Sequence, residues 1–183
     1  MTGQPSIPVA EQVELIAPSL AYEADFLAMA REYQHAGTEG EKAFYAEAVR
    51  DLAAHVRTLN ERAEGRSLLE RQVPYHSYWL VRGGGTILAN STLRHWLTPA
   101  LLIEGGHIGY GVRPSERRKG YGRLVCALTL DKARQIGLKR VLITCDADNV
   151  ASARIIQANG GRFEGESPSP RSGRLVSRYW IEL

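Results

Sequence analysis

The chain has 183 residues, 44% of them hydrophobic and 23% charged, and a formal net charge of +3. That length and balance exclude a disordered or fibrous polypeptide and suit one globular domain over residues 1–183 that buries its own core. No apolar run approaches the ~18 residues of a membrane span. Met1–Ala10 lacks the basic start and apolar core of a secretory signal, so neither a membrane partner nor export is expected. Cys126 and Cys145 sit inside apolar patterns and read as buried thiols of a reducing cytoplasm, with no disulfide and no metal role.

In chain order, residues 1–10 carry Pro5 and Pro8 and predict a loose lead-in. Val13–Ile16 is a short strand stopped at Pro18. Ser19 can cap a helix reaching about His35, with Phe26, Leu27, Ala30 and Tyr33 on its inner face and Gly37 after its end. A second helix, from Glu39 to Ala63, places Tyr45, Val49, Leu52, Ala53, Val56 and Leu59 on one side. Residues 75–82 and 86–95 flank a glycine turn and are rich in aromatic and β-branched side chains, the pattern of a hairpin. A strand over 107–112 should pair next. From there the order becomes strand, helix to about Ile136, strand over 140–145, helix over 149–159, then two closing strands. A strand, crossover and strand predict a mixed sheet with helices packed on it.

The richest stretch is Val112-Arg113-Pro114-Ser115-Glu116-Arg117-Arg118-Lys119-Gly120-Tyr121-Gly122. It opens a helix in which Tyr121, Leu124, Val125 and Leu128 share a face. A helix start leaves amides without intrahelical acceptors and carries positive dipole, so it suits an anion. Gly120 and Gly122 remove two Cβ atoms and let a phosphate approach. Arg113, Arg117, Arg118, Lys119 and Arg123 face one acid, Glu116, a denser positive charge than the chain average would supply. The stretch is not a P-loop, and no dinucleotide fingerprint is present. An arginine-rich helix start on a solvated face is the bland alternative. The same basic cluster could attract nucleic acid, but no aromatic-interleaved basic face or zinc pattern accompanies it, so no nucleic-acid partner is expected.

Arg117-x-x-Gly120-x-Gly122 between a strand and a helix resembles the coenzyme A diphosphate loop of the GNAT superfamily of N-acetyltransferases, [Gln/Arg]-x-x-Gly-x-[Gly/Ala]. A following strand and an Asn opening another helix, here Asn149, extend the resemblance over about Tyr75 to Phe163. It implies a single-domain α/β fold of the α+β type, with a mixed, mostly antiparallel sheet, helices on both faces and a splayed central strand pair. It also implies acetyl-CoA as cofactor and a small-molecule or peptide amine as acceptor, acetylated by direct transfer in a ternary complex. A catalytically silent coenzyme A sensor or scaffold is the alternative, and oligomeric state, a homodimer included, is left open. The contacts implied for the cofactor come from Tyr110, Gly111 and Val112, then from Arg117, Arg118, Lys119, Gly120, Tyr121 and Gly122, and from Asn149 and Ser152. Gly109 and Gly111 fit a bend where another chain-like group comes near. The first two helices would lie beside the acceptor pocket.

Acyl transfer to an amine needs a proton removed from a group of pKa ~10.4 and can return one to a thiol of pKa ~8.5. A backbone N–H near Val112 is the natural oxyanion donor. The tyrosine that many relatives carry after the Asn falls at Ile156, and the glutamate of others falls at Gly106, so both are absent. The local candidates for catalysis are Glu104, His107 and Tyr110, with Arg94 and His95 on the preceding strand. Strict alternation would put Glu104 and Tyr110 on one face and turn His107 away, and a bulge would exchange them.

Overall fold

The computed structural model describes residues 12–83 and 85–183. The expected lead-in over residues 1–10, and Gly84 of the expected turn, lie outside the described residues. Strand β1 (Val13–Ile16) leads into helices α1 (Glu23–Ala36), α2 (Glu39–Ala48) and α3 (Leu52–Ala63). The hairpin strands β2 (Tyr75–Arg82) and β3 (Thr86–Arg94) follow, then a short helix α4 (Pro99–Ile103) and strand β4 (Ile108–Val112). Helix α5 (Tyr121–Gln135), strand β5 (Arg140–Asp146), helix α6 (Val150–Ala158) and strands β6 (Arg162–Pro168) and β7 (Leu175–Glu182) complete the order.

The strands form two antiparallel sheets, β1-β2-β3-β4 and β5-β7-β6. Side-chain alternation on β2 shows why helices cover both faces of the first. Trp79 and Val81 pack with α1, α2 and α3, whereas Leu80 between them packs with Tyr121 and Val125 of α5. α5 is pinned to β3 by a fully buried polar pair. The Thr129 hydroxyl donates to the Val125 carbonyl and lies 2.7 Å from the Ser91 hydroxyl, so neither oxygen is left bare.

The helices differ from expectation in two places. The pattern over 39–63 is two helices, because the Asp51 carboxylate accepts from the Ala54 N–H at 2.8 Å and starts a new one. The charged run hid that cap. The turn of α4 was not anticipated, although Thr98 followed by Pro99 is a sound start signal. Ser19 caps a short 3-10 turn ahead of α1, and a Thr38–Glu41 capping box opens α2.

The two sheets meet at one end of β4. The His107 N–H donates to the Leu142 carbonyl at 2.7 Å, the Leu142 N–H donates to His107 Nδ1 at 2.9 Å, and the Gly105 N–H reaches Thr144 Oγ1 at 2.9 Å. Gly106 makes that approach feasible, since its φ is +58° and a Cβ there would strike the Leu142 carbonyl. From Ile108 onward no ladder joins β4 to β5 among the described residues, and the pair splays.

Arg113 stands just past the open end, 8% exposed. Its Nη1 donates to both Asp25 oxygens at 3.0 and 2.9 Å and its Nε donates to Glu32 at 2.7 Å, while the second Glu32 oxygen accepts from the Ser115 N–H. Two acids of α1 therefore hold the loop that leads into α5. Burial raises the Glu32 pKa, but the Ser115 and Arg113 hydrogen bonds outweigh it and the net shift is downward. Arg113→Ala should cost roughly 2–3 kcal/mol, at the low side for a broken buried pair because both carboxylates keep some solvent contact. Thermal unfolding should register this as a Tm lower by roughly 5–10 °C. Because the folded Glu32 pKa is depressed, its share of stability is present above the ordinary carboxylate value and is lost as pH falls through the folded value. Acid titrations of wild type and Glu32→Gln should diverge in that window.

Candidate active site

β4 presents different groups in different directions. The Arg94 N–H donates to the His107 carbonyl and the Arg113 N–H donates to the Leu88 carbonyl, which fixes the phase of the β3–β4 ladder. Antiparallel alternation between those bonds turns the peptide groups of Ile108, Tyr110 and Val112 the other way, into the splay. An extended chain could lie against that edge as one more strand. Gly109 and Gly111 instead face the helices α1 and α2 and floor a cavity of about 300 Å³. Their missing side chains leave Thr92 Oγ1 at 3.2 Å and Tyr33 Oη at 3.4 Å from where a Cβ would stand. These glycines open that cavity rather than bending the strand toward a cofactor.

At the start of α5, Gly120 is the N-cap at φ +91° and no side chain caps the helix. Arg118, two residues earlier, is also left-handed at φ +61°, a conformation that costs a non-glycine residue about 1–2 kcal/mol. Alternating left-handed residues turn successive N–H groups toward one side, forming an anion nest. Arg117, Arg118, Lys119 and Arg123 surround it and are exposed. The charge there is smaller than the composition implied. Arg113 is consumed by Asp25 and Glu32, and Lys119 pairs with Glu116 at 3.1 Å. Gly122 also serves packing. A Cβ on it would meet Ile155 Cδ1 at 2.6 Å, so this glycine lets α6 pack against α5. Tyr121 is buried and its hydroxyl accepts from Arg82 at 2.6 Å, so only its backbone faces the nest.

The three catalytic candidates are not brought together. Glu104 ends α4 and accepts from Ser169 at 2.7 Å and Arg171 at 3.1 Å, on the loop between β6 and β7. The alternation linking it to Tyr110 fails because Gly105 and Gly106, both at positive φ, separate it from the strand. His107 is 7% exposed, and its Nδ1 is engaged by Leu142. Burial, then Arg94 and Arg140, push its pKa down to about 4. Arg94 donates to the carbonyls of Gly105 and Gly106 and so holds the turn. His95 pairs with His76 at 2.8 Å, away from β4.

Tyr110 alone of the three reaches across the splay. Its Oη lies 2.9 Å from Ser152 Oγ, one turn into α6, and burial raises its pKa, so the phenol stays protonated. Asn149 caps that helix, its Oδ1 accepting from the Ser152 N–H at 3.0 Å and leaving the amide nitrogen for other partners. Residues not foreseen complete the cavity wall. Tyr33 and Tyr45 stack at 4.3 Å, Asn90 donates to Tyr45 Oη at 2.9 Å, and Glu41 and Phe44 of α2 stand at the rim. Two polar residues, Asn90 and Thr92, alternating in an apolar strand were the available signal.

A splayed strand pair, an uncapped helix start with a nest, and a cavity on the other side of the same strand define an acyltransferase that holds a diphosphate-bearing carrier. The family described as Acetyltransferase (GNAT) domain matches residues 23–162, and the chain belongs to it. It transfers an acetyl group from acetyl-CoA to an amine. No curated protein matches the sequence. Among solved structures, RimL, a ribosomal L7/L12 alpha-N-protein acetyltransferase in complex with coenzyme A, is 17% identical with a TM-score of 0.71, 97% of each chain being covered. Mycobacterium smegmatis RimJ in complex with CoA-disulfide is 19% identical with a TM-score of 0.70, over 93% of this chain and 81% of that one. The microcin C7 self-immunity acetyltransferase MccE, with acetyl-CoA and AMP, is 14% identical with a TM-score of 0.61, over 99% and 98%. At these identities the likeness is one of fold. Among the described residues no helix is long and apolar enough to cross a membrane.

Two outcomes test this geometry. Arg118→Gly should raise stability by up to about 1 kcal/mol by relieving the left-handed strain, less the added chain entropy. The same change should weaken acetyl-CoA binding, read by calorimetry. The His107 ring should remain neutral down to about pH 4 in the folded protein, seen in its NMR titration. Its pKa is depressed, so the stability it contributes is present above ~6.5 and falls away as pH drops from there toward the folded value. His107→Ala should flatten that slope in denaturant unfolding.

Proposed function

We propose that acetyl transfer is direct, with acetyl-CoA in the splay and the amine in the cavity floored by Gly109 and Gly111, both held against β4 at once. The observation that carries this reading is the double use of β4, whose Tyr110 and Val112 peptide groups face one opening while its glycines face the other. Bound acetyl-CoA supplies the thioester carbonyl and the thiol leaving group. The first-turn amides of α5, with Arg117, Arg118, Lys119 and Arg123, take its diphosphate. The Tyr110–Val112 edge and the Asn149 amide take the arm. The Val112 N–H is the oxyanion donor, and the peptide group after it is held through the Val112 carbonyl, which accepts from Tyr33 Oη at 3.0 Å and Arg117 Nε at 3.3 Å.

Tyr110 Oη holds the proton for the leaving thiolate and Ser152 Oγ stands behind it to restore one. In this reading Tyr110, reaching in from the strand, replaces the tyrosine lacking at Ile156. His107 is a positioning residue that sets where the splay begins, and Glu104 fastens the β6–β7 loop. Glu41, a carboxylate in the cavity wall, draws the ammonium form of the acceptor, whose proton leaves to water through the open mouth. The solved neighbour named for acetylating the α-amine of a ribosomal protein supports a peptide or protein N-terminus as acceptor. Two buried thiols, Cys126 and Cys145, support a reducing cytoplasm as the place of action.

Initial rates over a grid of both substrates should give intersecting lines, the pattern of a ternary complex, and parallel lines would refute direct transfer. Tyr110→Phe should lower kcat roughly a hundredfold, the usual size of a general-acid contribution, with acetyl-CoA affinity nearly unchanged.

A further inference from the structure

A second, smaller chamber of about 90 Å³ adjoins the acceptor cavity, and Phe44, Tyr45, Asn90 and Thr92 line both. Its walls are aromatic, with Phe26 and Trp79 stacked at 5.2 Å. Two polar atoms on it stand out. Ser77 is 8% exposed, and its Oγ is buried with no hydrogen-bond partner among the described residues. The same holds for His55 Nε2, on a ring held between Phe26 at 6.0 Å and Phe44 at 5.3 Å. A buried polar atom left without a partner is destabilising, and two in one small chamber call for a group that satisfies both.

The chemistry of that group is narrow. The lining residues carry no ionised side chain, and burial, with Arg62 nearby, keeps His55 neutral. A charged occupant would be desolvated without a counter-charge. A hydroxyl both donates and accepts, so it suits Ser77 Oγ and either tautomer of His55. Ser77 lies opposite Thr92, and Thr92 lies opposite Gly109, so Ser77, on the far side of the chamber, is two strands away from β4. At about 4.8 Å per strand, an amine beside β4 and a hydroxyl in the chamber stand roughly 6–9 Å apart.

We infer that this chamber is a specificity subsite, and that the preferred acceptor is an amine carrying a neutral hydroxyl several bonds away, bound by Ser77 and His55. The inference rests on the amine occupying the cavity over Gly109 and Gly111. A serine following a peptide's N-terminal residue and a free amino alcohol both present this chemistry.

The test compares hydroxylated acceptors with methyl isosteres: alanyl-serine amide against alanyl-aminobutyrate amide, and aminopentanol against hexylamine. Wild type should favour the hydroxylated member of at least one pair by about tenfold or more in kcat/KM, the pair showing whether peptide or small amine is the source. Ser77→Ala and His55→Phe should each bring that ratio close to one. A wild-type ratio near one in both pairs, as expected if water alone fills the chamber, overturns the inference. So does a preference that survives both substitutions. Binding of the same pairs to the enzyme–coenzyme A complex, followed by calorimetry, gives a second readout. Should no amine be acetylated, direct transfer at this cavity fails, and the binding ratio still decides the chamber.

Discussion

The whole arrangement depends on where two sheets stop being hydrogen-bonded to each other. At His107 and Leu142 the join is complete, with a main-chain bond one way and an imidazole standing in for a carbonyl the other way. One residue later the ladder is gone. A buried strand edge normally must satisfy its peptide groups, and here the edge of β4 past His107 has no β5 ladder among the described residues. The neutral ring of His107 is what allows the join, because a protonated imidazole would have no acceptor for the Leu142 N–H. A residue whose ordinary pKa suits proton transfer is thereby withdrawn from it.

Electrostatics around the helix start is divided between structure and ligand. Arg113 is buried between two carboxylates, and its charge is not available to an anion. Because a buried guanidinium without partners would be costly, this triad ties α1 firmly to the loop before α5. The remaining cations stand exposed, beside a nest whose left-handed Arg118 stores strain. Strain kept at a functional turn implies that the surrounding structure over-determines it, and the Glu32–Ser115 bond is one part of that support.

The cavity over β4 is built by subtraction. Gly109 and Gly111 remove side chains exactly two apart, so the hollow appears on one face while the other face keeps Ile108, Tyr110 and Val112 for packing and for the splay. Helices α1 and α2 close the hollow with stacked tyrosines, and its rim carries Glu41. The neighbouring chamber extends the same face by one strand, and its polar atoms give that face chemical preference as well as shape.

Much of this was legible in the residues alone. Periodicity located the hairpin and α5, and Arg117, Gly120 and Gly122 between strand and helix pointed to a diphosphate carrier, because helix starts and glycines have local physical consequences. Asn149 at the start of α6 was readable for the same reason. Local signals could not tell which arginine is neutralised, since Asp25 and Glu32 lie over 80 residues away from Arg113. Nor could they separate two glycines with similar settings, one a left-handed cap and the other a contact point for Ile155. His107 and Tyr110 both stood as candidate proton carriers, His107 with the better-suited ordinary pKa, and it is packing that buries His107 and engages its Nδ1. The sequence by itself determined most of the elements, the break at Asp51 and helix α4 apart, and marked one turn as suited to an anion. Tertiary structure alone decided which polar groups remain available for chemistry, because burial and long-range hydrogen bonds set that availability.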